Sequence, residues 1–130
     1  MVADGRPERL QLLAKTFPSI QGVKDAGDII GSTEVDAVVI ATPVHTHFEL
    51  AKRALLQGKH VLIEKPMTSS VREADELMDL ASKKGLTLMA DHTFLYTGAV
   101  QKMNVHYRNL RIFAAIKYGQ IKCLRHFITP

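Results

Sequence analysis

A chain of 130 residues with 46% hydrophobic content is long enough for one domain with a real core, and one domain is the default expectation. Its single cysteine, Cys123, excludes an internal disulfide, and it has neither a leader-type apolar segment at its start nor a run long enough to cross a bilayer; a reducing, cytoplasmic location is therefore expected. The net charge of +4 is unevenly placed: residues 1–100 hold 11 Lys and Arg against 13 Asp and Glu, whereas residues 101–130 hold six basic residues and no acid.

Pro7 at a first helical position, followed by Leu10, Leu13, Ala14 and Phe17 at helical spacing, predicts a helix that ends before Pro18. A short helix near Asp25 to Ile30 stops at Gly31, and the apolar, β-branched run from Val35 to Ala41 reads as a buried strand. Thr46 and Glu49 have capping-box spacing ahead of a helix that turns Phe48, Ala51, Ala54 and Leu55 inward and closes at Gly58. After a strand from His60 to Ile63, Ser70 and Glu73 repeat the device. The helix they open carries Val71, Ala74, Leu77, Met78 and Ala81 as its apolar stripe, and Gly85 stops it before a strand from Thr87 to Ala90.

Strands alternating with helices of this length predict βαβ units and hence a parallel sheet. Further on, Val100 to about Ile116 has helical spacing, Gly119 ends it, and Ile121 to Thr129 alternates as a strand. The basic residues of this tail interleave with Tyr107, Phe113, Tyr118 and Phe127, a pattern found in nucleic-acid binders; no binding motif accompanies it, and a solvated face or a contact for an acidic ligand is the preferred reading.

Candidate chemistry gathers at strand ends. Val61-Leu62-Ile63 delivers Glu64, Lys65 and Pro66 at its carboxyl end, where open α/β sheets place their ligands. Thr42 and Pro43 end the preceding strand, and His47 follows them. The Val44-His45-Thr46-His47 stretch offers two histidines without Cys or carboxylate partners, so no metal site is expected. Asp91-His92-Thr93-Phe94-Leu95-Tyr96 follows the last strand, and Asp4 stands near the start of the chain.

The Glu64-Lys65-Pro66 run, taken with Ala37 to Pro43, His47 and the stretch to Tyr96, closely resembles the Gfo/Idh/MocA family of NAD(P)-dependent oxidoreductases over roughly Val2 to Lys102. The resemblance implies an α/β fold: an incomplete doubly wound Rossmann sheet that lacks strand 1 and the Gly-rich loop. No G-x-G-x-x-G occurs, and Met1 to Asp4 matches the end of the family's second strand. Residues 1–118 are then a truncated dinucleotide-binding domain, and residues 119–130 the first strand of a missing α+β substrate domain.

The activity implied is hydride transfer between NAD or NADP and a hydroxyl carbon of a sugar or nucleotide sugar. The His92-Thr93-Phe94-Leu95-Tyr96 string resembles the subgroup that acts on nucleotide-linked amino sugars. Such a reaction needs a group that takes or returns the hydroxyl proton. The resemblance gives that role, and contact with nicotinamide, to Lys65; an amine among cationic or apolar neighbours becomes a usable acid or base. Thr42, Pro43, His47 and Glu64 are expected along the cofactor, and His92 and Tyr96 against substrate or nicotinamide. Asp4 is expected to receive the adenosine ribose hydroxyls, favouring NAD, while Arg6 keeps NADP open.

Each residue also has a plainer reading: a solvated strand-end charge for Lys65, a structural carboxylate for Glu64, a helix cap for Asp4 and a satisfied loop histidine for His92. With no Gly-rich loop to hold the pyrophosphate, the chain alone is expected to bind NAD(P) weakly or not at all. Unpaired edges at Val35 to Ala41 and Ile121 to Thr129 predict self-association. The alternative function is a noncatalytic remnant that acts as an interaction or assembly module.

Overall fold

The computed structural model describes residues 1–93 together with 97, 98 and 102. Tyr96, Cys123, the helix expected over 100–116, the strand expected over 121–129 and all of the basic tail except Lys102 lie outside the described residues. The chain divides into two compact units, Met1–His92 and Thr93–Pro130. The elements below belong to the first.

In chain order these are β1 (Val2–Ala3), α1 (Pro7–Thr16), β2 (Gly22–Val23), α2 (Ala26–Gly31), β3 (Ala37–Ile40), a 3₁₀ turn (Val44–Thr46), α3 (His47–Leu56), β4 (His60–Glu64), α4 (Val71–Lys84) and β5 (Leu88–Asp91). The fold is α/β. Strands β3, β4 and β5 form a parallel sheet in that order, with Val38 beside Val61 and Ile40 beside Ile63, then Val61 beside Leu88 and Ile63 beside Ala90. Parallel neighbours need a crossover, and α3 and α4 supply the two.

Because side chains alternate along a strand, Ile40, Val61 and Ile63 share the face on which Ala51, Ala54 and Leu55 of α3 and Leu77 and Ala81 of α4 are buried, with Ile30 completing the cluster. Three of the six helical contributors are alanine, which lets the helices approach the sheet closely. The opposite face presents the register row Val39, Leu62 and Met89, with Val39 69% exposed.

Local chemistry explains the helix ends. Ser70 accepts from the Glu73 amide while the Glu73 carboxylate accepts from the Ser70 amide, so the expected box forms at α4. Gly58 and Gly85 take positive φ just past α3 and α4, a conformation that favours glycine. Asp25 caps α2 through the Gly27 amide at 2.7 Å.

Three expectations need correction. The Thr46–Glu49 box does not form: Thr46 is helical in backbone and makes no side-chain cap, because the 3₁₀ turn precedes α3 and the hydroxyl bonds Pro43 instead. Val71 and Met78 are exposed, leaving Leu77 and Ala81 as the buried residues of α4. Ala14 and Phe17 are exposed on or just past α1, which buries no residue.

At the start of the chain, β1 stands outside the sheet of β3, β4 and β5. The Met1 to Asp4 stub has a strand partner, β2, in parallel register with Val2 beside Gly22 and Ala3 beside Val23. A two-residue Gly-Val strand carries no periodic signal. Its glycine packs closely on α1: a Cβ there would stand 3.2 Å from the Leu10 side chain, which would have to shift by a few tenths of an ångström. Strands β3 and β5 otherwise differ from expectation only by a residue or two at their ends.

Candidate functional site

The carboxyl ends of three parallel strands lie side by side, β3 running into Ala41, Thr42 and Pro43, β4 into Glu64, Lys65 and Pro66, and β5 into Asp91 and His92. The sheet order puts β4, and with it Lys65, in the middle.

At the end of β3, Thr46 Oγ1 donates to the Pro43 carbonyl at 2.7 Å, and the Thr42 and Thr46 hydroxyl oxygens are 2.7 Å apart. A hydroxyl has one hydrogen. With that of Thr46 committed to Pro43, the Thr42 hydroxyl donates to Thr46, and the exposed Thr42 Oγ1 is left as an acceptor. The sequence reading missed Thr46 in this role because its spacing to Glu49 matched a helix cap.

His47 is 1% exposed, with Nε2 2.7 Å from the Thr42 carbonyl oxygen and Nδ1 3.0 Å from that of Pro66. The Lys65–Pro66 peptide is cis. Glu64 accepts the Lys65 amide at 3.0 Å and sits in register beside Asp91. Lys65 is exposed, and its ammonium makes no hydrogen bond or ion pair among the described residues. His92 is half-buried, its amide donating to the Ala90 carbonyl at 2.9 Å.

Asp4 belongs to the other sheet, one residue past β1. Its carboxylate accepts the Arg6 amide at 3.0 Å and Arg6 Nε at 3.2 Å, and Arg9 Nη1 lies 3.8 Å away. The hydrogen bonds from the Arg6 side chain and amide, aided by both guanidinium charges, hold its carboxyl below the usual carboxylate range. It does not occupy the cap position of α1, which is Arg6.

Among the described residues no three His, Cys, Asp or Glu side chains gather as a metal site. No described helix is long and apolar enough to cross a membrane.

A parallel α/β sheet whose polar residues collect at its carboxyl edge defines a Rossmann-type ligand-binding fold. The model of the oxidoreductase family with NAD-binding Rossmann fold, Gfo/Idh/MocA, matches residues 1–92, and the chain belongs to that family. It is 37% identical over 98 residues to dTDP-3,4-didehydro-2,6-dideoxy-α-D-glucose 3-reductase of Streptomyces violaceoruber, covering 75% of this chain and 28% of that one. It is 38% identical over 91 residues to UDP-N-acetylglucosamine 3-dehydrogenase of Acidithiobacillus ferrooxidans, covering 70% and 26%. Among solved structures, a 3-ketoreductase from Actinomadura kijaniata in complex with NADP and TDP-benzene is similar with a TM-score of 0.72 and 32% identity over 79% of this chain and 31% of that one. The chain thus spans about a quarter to a third of the length of these relatives.

Proposed function

We propose that the protein carrying this chain transfers hydride between NAD(P) and a hydroxyl-bearing carbon of a sugar or nucleotide sugar, with Lys65 moving the hydroxyl proton. The observation that carries this reading is the placement of Lys65, an exposed ammonium with no described partner at the carboxyl end of the central strand, between the Thr42 acceptor and His92. The 3-ketoreductase and 3-dehydrogenase names of its relatives support a sugar carbon as the reacting centre.

The residues present fit a dinucleotide. Thr42 Oγ1 accepts from a donor such as a ribose hydroxyl; Asp4 offers acceptors to a second ribose, and the Arg6 and Arg9 guanidinium groups beside it suit a 2′-phosphate. When bound, the reduced cofactor supplies hydride to the carbonyl carbon. Lys65 as ammonium then gives the carbonyl oxygen its proton, and in the reverse direction the amine takes it back. Glu64, bonded to the Lys65 amide, fixes the main chain that presents the side chain. His92 lies within the same edge as a substrate contact.

A chimera tests the assignment: residues 1–92 replace the matching stretch of the Acidithiobacillus 3-dehydrogenase, and turnover of UDP-N-acetylglucosamine is followed. Lys65→Ala should lower turnover by about 10²-fold or more with cofactor affinity nearly unchanged. Unchanged turnover removes Lys65 from the mechanism.

The second reading, an assembly module, is favoured by the open side of β3, which has no described strand partner, next to the exposed Val39. Self-association belongs to both readings. Activity in the chimera separates them.

A further inference from the structure

His47 is the one buried polar side chain among the described residues, and each ring nitrogen faces a main-chain carbonyl oxygen. Carbonyl oxygens only accept, so it is a ring N–H that holds a turn to the imidazole, and which nitrogen carries it follows from the tautomer. The two carbonyls belong to the two turns that form the site: Thr42 continues from β3, and Pro66 follows Lys65 directly. The ring itself is mounted on the first residue of α3, a helix anchored through Ala51, Ala54 and Leu55 in the core.

We propose that His47 is the positioning residue for Lys65, tying the Pro66 carbonyl to α3 and to the Thr42 carbonyl and so setting the spacing between Lys65 and the Thr42 acceptor, without touching the cofactor. At 1% exposure the ring has almost no surface to offer a ligand. Lys65 depends on such a tie because its side chain has no described partner: its position is set by the main chain alone, through the amide held by Glu64 on one side and the carbonyl held by His47 on the other. A buried ring N–H left without an acceptor is costly, so the enclosed imidazole holds to these turns.

The functional weight of this tie rests on reading Lys65 as the proton carrier; the tie itself is measured without cofactor or turnover. In the isotopically labelled 130-residue chain, a hydrogen-bond scalar coupling should connect His47 Nδ1 to the carbonyl carbon of Pro66. Absence of the coupling to Pro66 overturns the proposal. His47→Leu should raise hydrogen exchange at the Lys65 and Met67 amides about tenfold, the scale of one lost hydrogen bond, and His47→Gln, which keeps a donor, should recover part of the protection. Leu77→Ala is the control, since it loosens the core without removing either hydrogen bond of His47. Equal effects of His47→Leu and Leu77→Ala on those two amides would reduce His47 to general packing and contradict the proposal. Where His47→Leu does not fold, the coupling in the native chain and the exchange of His47→Gln decide.

Discussion

At the residue scale, the direction of a single hydroxyl hydrogen decides what Thr42 recognises. Its hydrogen goes to Thr46 only because Thr46 is committed to the Pro43 carbonyl. Thr42→Val removes the acceptor itself, so the variant should weaken binding of a ribose hydroxyl by about 3- to 10-fold, the worth of one hydrogen bond. Titration of nicotinamide mononucleotide followed by amide shifts reads this, and unchanged affinity would show that the hydroxyl pair does not face the ligand. Asp4 gives a pH prediction. Its folded carboxyl is held low by Arg6, so its contribution to stability is present above the ordinary carboxylate value and is lost as pH falls through the lowered one. Carboxyl carbon shifts should show that low midpoint, and Arg6→Ala should move it upward. The strand-end motif was legible because Glu64, Lys65 and Pro66 interrupt an apolar run. The burial of His47 was not, since a histidine opening a helix beside Thr42 and Pro43 reads equally well as a ligand or as a strut.

At the element scale, burial among the described residues is concentrated between α2 and α4. Every buried residue among those described lies from Ile30 to Ala81, and β1, α1 and β2 contribute none. Amides of β3, β4 and α3 should therefore exchange slowest, and those of β1 and β2 much faster; equal protection across both sheets would contradict this. Leu77→Ala should cost about 2–5 kcal/mol, read as a lower denaturation midpoint, because the side chain is fully enclosed. Helices α3 and α4 are also joined by Lys52 and Glu76 at 2.6 Å, with the Lys52 ammonium 5.2 Å from the Phe48 ring centroid. The bond to Glu76 raises the Lys52 ammonium's affinity for its proton, so that contribution holds below the ordinary lysine value and fades as pH rises through the raised one. The alternation of strands and helices, the Ser70–Glu73 box and the two closing glycines were readable in advance. What escaped was β2, too short for a period, and the 3₁₀ turn, whose Thr46 satisfies two local patterns that exclude each other.

At the scale of the whole molecule, the described first unit holds two separate parallel sheets and a polar edge on the larger. On the proposed reading the edge meets a nicotinamide ribose and a reacting hydroxyl, while the sequence contains no G-x-G-x-x-G to cradle a pyrophosphate. Calorimetry of the 130-residue chain should accordingly give weak or undetectable binding of NADH and NADPH, and micromolar affinity would reveal a phosphate site of another kind. The open side of β3 predicts a molecular mass that rises with concentration in light scattering. A constant monomeric mass would show that this edge is covered.

The central claim is that the carboxyl edge of β3, β4 and β5 receives the nicotinamide half of the cofactor beside Lys65. Its most direct test is a titration of the labelled chain with nicotinamide mononucleotide at millimolar concentration, mapping amide shifts residue by residue. Shifts confined to Thr42, Lys65, Met67, Asp91 and His92 are the predicted result. Shifts centred instead on the cavity of about 180 Å³ lined by Gly27, Ile30, Arg53 and Gln57, with that edge unmoved, would contradict it.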